Sequence, residues 1–185
     1  MPRIVDHKQR KQDIVDHCFH LFAEQGYAAV SMRNIATSLG VSTGVLYHYF
    51  ENKKAIFEAV FRHRSATDVA IATQNITDAS SQLERLSALR EFVSHHREQL
   101  LKTLQIGLEY RRQSTTTESD FLHTTLEFYR ATIGEQLGIT EPEMTRVAVS
   151  ILLGMLVQDA LDGKDGDLAA HVDCIQRLTP AAKIN

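Results

Sequence analysis

Residues 31–50 read Ser31-Met32-Arg33-Asn34-Ile35-Ala36-Thr37-Ser38-Leu39-Gly40-Val41-Ser42-Thr43-Gly44-Val45-Leu46-Tyr47-His48-Tyr49-Phe50. Two hydroxyl residues, Ser31 and Ser42, stand where helix N-caps belong, and Gly40 lies between them at the expected stop of the first segment. The pattern predicts two short helices crossing steeply around a tight turn. Ala36 is small enough to let the second of these segments pack closely on the first. Gly40 can take the positive φ that reverses the chain, and Val41 closes the turn against the interior. Ile35, Leu39, Leu46 and Tyr49 supply a shared core. A plain helical hairpin also wants caps and a glycine, but it does not need so short a second helix with so polar an outer face. The stretch is therefore read as a helix-turn-helix.

Working outward, nearly all of the remaining chain has helical period. Ile14, Cys18, Leu21 and Phe22 fall on one face of a first helix over about 8–25, with Gly26 where a left-handed C-cap belongs. A helix from about Lys53 sets Ile56, Phe57, Val60 and Phe61 on its buried stripe and runs toward Ile76, where residues 77–81 read as a junction. Stripes at Leu83, Leu86, Leu89, Phe92 and Val93, at Leu100, Leu101, Leu104 and Leu108, and at Leu122, Leu126, Tyr129 and Ile133 predict three more helices. The last strong helix spans about 141–161, with Thr140 as its cap and Pro142 in its first turn. It is apolar around most of its circumference, which implies burial on more than one side. No segment alternates with period two, so the fold class is all-α.

Of the 185 residues, 43% are hydrophobic and 23% charged. That balance excludes a wholly disordered or collagen-like chain. No apolar run is expected to reach the ~20 residues of a membrane span, and the N-terminus lacks the apolar region of a secretory signal, so a cytoplasmic protein with no membrane partner is expected. Cys18 and Cys174 match no metal-ligand spacing and read as buried small apolar residues. Charge is uneven along the chain. Residues 1–64 hold nine Lys and Arg against six Asp and Glu, and the remainder holds eleven against seventeen. A basic head on an acidic body favours a polyanion at the head.

Three runs make the pattern more specific: Phe22-Ala23-Glu24-Gln25-Gly26-Tyr27, the hydroxyl-started residues 31–42, and residues 43–53 followed by Lys54-Ala55-Ile56-Phe57. Over residues 11–60 the chain resembles the DNA-binding domain of the tetracycline-repressor (TetR) family of bacterial transcription regulators. The remaining two thirds resemble that family only in helix pattern and length. The resemblance implies a helix-turn-helix domain over residues 1–52 and a helical bundle for ligand binding and dimerisation over residues 53–185. It implies a homodimer, a double-stranded DNA operator and an unidentified small-molecule effector as partners.

DNA contacts can then be assigned to residues. Thr43, Gly44 and Val45 sit at the N-terminal end of the recognition helix, the end that meets base edges. Gly44 permits close backbone approach, Val45 suits a thymine methyl, and Thr43 can hydrogen-bond a base or a phosphate. Tyr47, His48 and Lys53 match family positions that touch phosphates. Ser31 and Arg33 can reach the backbone, and Arg33 also a guanine edge. Ser42 is chiefly a cap, and Arg10 and Lys11 form a basic arm. Each assignment has a competitor, since Tyr47 could pack on the first helix and Val45 in the core.

In the body, the resemblance implies an effector pocket among the middle helices. Phe92, Leu101, Leu104, Leu108 and Phe121 are its candidate walls, with His96, Gln105 and Glu109 as candidate polar groups. Leu126, Tyr129, Ile151, Gly154 and Met155 are candidate dimer contacts. His17, Cys18 and His20 do not form a tidy metal site on a helix. No phosphate loop, GxSxG elbow or HExxH motif is present, so neither an enzyme nor a cofactor or metal is expected. The function implied is a sequence-specific regulator, most simply a repressor released from a palindromic operator by its effector. The competing classes are a helical enzyme or carrier without DNA affinity, and a nonspecific DNA-binding protein.

Overall fold

Serine hydroxyls set three of the helix starts. Ser31 Oγ accepts from Asn34 N (3.2 Å) while Asn34 Oδ1 accepts from Ser31 N (3.0 Å), a reciprocal capping box. Ser42 Oγ accepts from Val45 N at 3.3 Å, and Ser81 with Glu84 repeats the box. A computed structural model of the chain describes residues 7–77, 81–114 and 120–162. These form helices α1 (His7–Ala29), α2 (Met32–Ser38), α3 (Thr43–Tyr49), α4 (Lys53–Thr77), α5 (Gln82–His95), α6 (Arg97–Gln113), α7 (Asp120–Leu137) and α8 (Pro142–Asp162). Among the described residues there is no strand, and the all-α reading holds. Since α8 begins at Pro142, its cap position is Glu141, whose carbonyl accepts from Thr145 N, one residue later than the expected Thr140.

The described residues divide into two compact units. The first draws on described residues within 7–69, 102–114 and 120–128, the second on those within 70–77, 81–101 and 129–162. α4, α6 and α7 each lend residues to both.

In the first unit, Ile14, Cys18, Phe22, Ile35, Ala36, Leu46, Ile56, Phe57 and Val60 are buried together with Ile106 and Tyr110 of α6. Phe57 is the hub: its ring lies 4.4 Å from Tyr110 in a stack, 4.7 Å from Tyr27 and from Phe61, and 5.4 Å from Phe22. The helix-turn-helix residues expected in the interior are there, Ile35 and Leu46 wholly and Leu39, Val41 and Tyr49 partly. The turn follows from Gly40, which has φ 65°. Val41 N reaches back to Ala36 O and Gly40 N to Thr37 O, closing α2 with a Schellman motif. Cys18 is buried as expected, and Cys174 lies outside the described residues.

The second unit is built on Ile76, Leu89, Phe92, Val93, Leu137, Met155 and Leu156. Contrary to the composition reading, α8 is 21 residues long and apolar enough to cross a membrane by length and composition. One side of it, Thr145, Val149, Met155 and Leu156, is buried in the protein. Met155 was expected at a dimer interface; it is only 5% exposed, because its bearing on the helix is toward the core shared with Leu89 and Leu137.

Candidate nucleic-acid interface

The caps that start α2 and α3 also decide which side chains remain outside. Once Ile35, Ala36 and Leu46 turn inward, Ser31, Arg33, Ser42, Thr43, Gly44, Val45, Tyr47 and His48 all lie on the exposed side. Val45 is 42% and Tyr47 54% exposed, so neither is spent on the core. A β-carbon on Gly44 would have only Ser42 Oγ near it, at 3.7 Å, which leaves the N-terminal end of α3 open. A short, uncrowded helix end with small and hydroxyl side chains can enter a DNA groove.

Lys53 is placed differently from its expected phosphate role. Its Nζ donates to Tyr27 O and Val30 O, each at 2.8 Å, and stands 4.1 Å from the centre of the Tyr27 ring. Two of its three N–H bonds thus tie the end of α1 and the residue that follows it. Burial pushes the Lys53 ammonium below its ordinary range, and the Glu109 carboxylate opposes that shift.

Glu109 completes the arrangement. Its Oε2 accepts from Tyr27 N at 3.0 Å and its Oε1 from Ala28 N at 2.8 Å. The segment follows Gly26, whose φ 78° and ψ 157° interrupt α1 in a region open essentially to glycine alone. The C-cap expected at Gly26 is therefore a sharper break, after which the chain makes one more short turn to Ala29. A carboxylate from α6 and an ammonium from α4 together hold the backbone that leads into α2. Sequence reasoning missed this clasp, since 82 residues separate Glu109 from Tyr27 and no local motif joins them.

The other candidate pocket residues fall into two sets. Phe92 and Leu101 belong to the second unit's core, with His96 stacked 4.5 Å from Phe92. Phe121 packs on the first unit's core, Leu104 is half-buried, and Gln105 and Leu108 are exposed. Of the dimer candidates, Gly154 is exposed, while Leu126, Tyr129 and Ile151 are half-buried. Among the described residues, no group of three or more His, Cys, Asp or Glu could hold a metal ion.

A three-helix core that presents one short, serine-capped helix outward defines a helix-turn-helix domain. The sequence model for bacterial regulatory proteins of the tetR family matches residues 14–60, so over this segment the chain is similar to those regulators. A curated relative, the HTH-type transcriptional repressor KstR2 of Mycolicibacterium smegmatis, is 29% identical over 119 residues, covering 62% of this chain and 57% of its own. The chain thus matches little more than half the length of that relative. Two solved structures share the fold at 20% and 22% identity. The fatty acid degradation regulator FadR from Bacillus halodurans has a TM-score of 0.70 and covers 94% of this chain and 96% of its own. FadR from Bacillus subtilis, in complex with stearoyl-CoA, has a TM-score of 0.68 with 90% and 96% covered.

Proposed function

We propose that the protein is a cytoplasmic, sequence-specific DNA-binding transcriptional regulator, acting as a repressor that a small-molecule effector releases from a palindromic operator. The observation that carries this reading is the exposed set Thr43, Gly44, Val45, Tyr47 and His48 on one capped helix, with Ser31 and Arg33 at the start of its partner. Thr43 to Val45 meet base edges, and Tyr47, His48, Ser31 and Arg33 hold the phosphates. Arg10 and Lys11 extend the grip along the backbone. The residues over 1–52 act as the DNA-binding domain and those over 53–185 as the effector and dimer domain.

Dimerisation is supported by the outer side of α8. Met144, Val147, Leu153, Val157 and Leu161 are exposed, Leu161 to 82%, and with Gly154 most of them line the side opposite the buried one. A second copy is the partner that a twofold operator requires, with two α3 helices about 34–36 Å apart. A ligand that favours the wrong separation of recognition helices weakens binding by about 5–150-fold for a coupling of ~1–3 kcal/mol.

The test is selection of sites from a random duplex pool at near-physiological salt. Enrichment of a palindrome with half-sites one helical turn apart is the expected result. Retention without an enriched motif favours a nonspecific DNA-binding protein, and no retention at low salt overturns the DNA reading.

A further inference from the structure

Residues 27–30, the end of α1 and the residue after it, lie directly before Ser31, the cap of α2. The Tyr27 ring meets Phe57 of α4 and Tyr110 of α6 edge to face, at 4.7 and 4.9 Å. Its backbone is held from the same two helices. Glu109 Oε2 accepts from Tyr27 N at 3.0 Å and Oε1 from Ala28 N at 2.8 Å, while Gln113 Nε2 donates to Oε1 at 3.3 Å. Lys53 Nζ donates to Tyr27 O and Val30 O, each at 2.8 Å. Ala28 is exposed, so water could satisfy its N–H, but water would not fix the direction in which the chain leaves α1. A carboxylate on two N–H groups and an ammonium on two carbonyls do fix it, through charge-assisted bonds of opposite polarity. Buried Val30 then delivers the chain to Ser31. From there α2 passes its orientation to α3 through the turn that Gly40 and Val41 close.

We infer that Glu109 and Lys53 are positioning residues for DNA recognition: by holding residues 27–30 they set the angle at which Ser31 and Arg33, and through α2 the N-terminal end of α3, meet the duplex. The inference rests on the DNA-binding reading above. It gives Lys53 a role other than a phosphate contact, and it gives a carboxylate a favourable role in binding a polyanion. The second point fixes a sign. On charge alone, removing Glu109 takes a negative group out of the DNA-binding unit and tightens binding to every duplex. Positioning requires the reverse for the operator, because base contacts carry the sequence information and depend on register. For Lys53 the readout is the salt dependence. Loss of a phosphate contact weakens all sequences alike and flattens the slope of log K against log salt by about 0.9. Loss of a positioning residue lowers operator affinity at an unchanged slope.

The experiment is fluorescence-anisotropy titration of the full chain with a selected operator duplex and with a scrambled duplex, over a series of salt concentrations. Wild type, Glu109→Gln, Glu109→Ala and Lys53→Met are compared, and circular dichroism checks the fold of each. Any unfolded fraction lowers both apparent affinities by the same factor, so the ratio of operator to scrambled binding is not moved by lost stability alone. Glu109→Gln keeps one acceptor oxygen and is expected to bind the operator about threefold more weakly, and Glu109→Ala and Lys53→Met about tenfold or more, with scrambled binding within about twofold of wild type. The salt slope of Lys53→Met should match that of wild type. Should Glu109→Ala unfold, Glu109→Gln alone carries the sign. Tighter binding of both duplexes by the Glu109 variants overturns the inference, since charge alone then accounts for them. Equal losses on both duplexes in Lys53→Met, with the slope lower by about 0.9, overturn it and make Lys53 a phosphate contact. Wild-type operator affinity in all three variants overturns it and leaves the DNA reading standing. A wild-type chain that binds neither duplex overturns both.

Discussion

Glu109 Oε2 stands 2.7 Å from the place a β-carbon on Gly26 would occupy. The glycine thus does two things at once. It supplies a backbone conformation closed to other residues, and it leaves the space through which a carboxylate from α6 reaches the N–H groups of Tyr27 and Ala28. The break in α1 and the carboxylate that caps it form one unit.

Gly26→Ala is accordingly expected to cost about 1–3 kcal/mol for the strained dihedrals, with a further loss as Glu109 is displaced. Glu109→Gln keeps one acceptor oxygen and is expected to cost less than Glu109→Ala, which strips both N–H groups of their partner at roughly 1–3 kcal/mol. Urea unfolding of the three variants measures this ordering; equal stabilities for Gln and Ala would show that the carboxylate does not hold the segment.

The shared core of the helix-turn-helix gives a second expectation. Leu46 is completely buried among Ile35, Ala36 and Phe22. Leu46→Ala should cost about 2–5 kcal/mol. Ser42→Ala, which removes only the cap on Val45 N, should cost about 0.5–2 kcal/mol. Thermal unfolding distinguishes them, and a cap variant as damaging as the core variant would mean that Ser42 has a further structural partner.

Local signals made most of the fold legible. Ser31, Gly40 and Ser42 act on neighbours within five residues, so the helix-turn-helix could be placed to within a residue. The start of α4 and the junction after Ile76 were readable for the same reason. Long-range pairings were not. Glu109 meets Tyr27 across 82 residues, and this turned a candidate pocket group into a backbone cap and directed Lys53 inward. On α8 the apolar residues surround the axis, so periodicity could not say which side is covered. That is why Met155 was expected at an interface while it belongs to the core, and why the exposure of Val147 and Leu161 could not be read.

The outer side of α8 can be tested directly. Val147→Glu and Leu161→Lys alter exposed side chains and should leave helicity unchanged. On the dimer reading each puts a charge into an apolar interface and should shift the protein to monomer by at least tenfold in dissociation constant, as sedimentation velocity would show. Met155→Ala should instead lower stability by about 2–5 kcal/mol. Unaltered self-association in both charge variants would place the interface elsewhere.

Burial pushes the Cys18 thiol up to about 12. The folded chain keeps its proton where an unfolded thiol, titrating near 8.5, has released it. Stability from this group is complete below that pH and is lost as pH rises toward about 12, by up to ~1.4 kcal/mol per pH unit. In a Cys174→Ser background, Cys18 should resist alkylation at pH 8 and react fully in denaturant. Alkylation in buffer at the denatured rate would contradict its burial.

Gly44→Ala separates DNA contact from folding. The added methyl would meet Ser42 Oγ at 3.7 Å, an ordinary contact, and nothing else nearby. Alanine also favours helix over glycine by up to about 1 kcal/mol, so the melting temperature should hold or rise. The methyl would nevertheless stand on the exposed end of α3 between Thr43 and Val45, where on the proposed DNA-binding reading the backbone comes closest to base edges. Affinity for the selected operator is therefore expected to fall about tenfold or more, a loss of at least ~1.4 kcal/mol. Binding to random duplex, which depends on phosphate contacts, should change far less. If operator affinity stays at the wild-type value in a variant that melts normally, the N-terminal end of α3 does not face the bases.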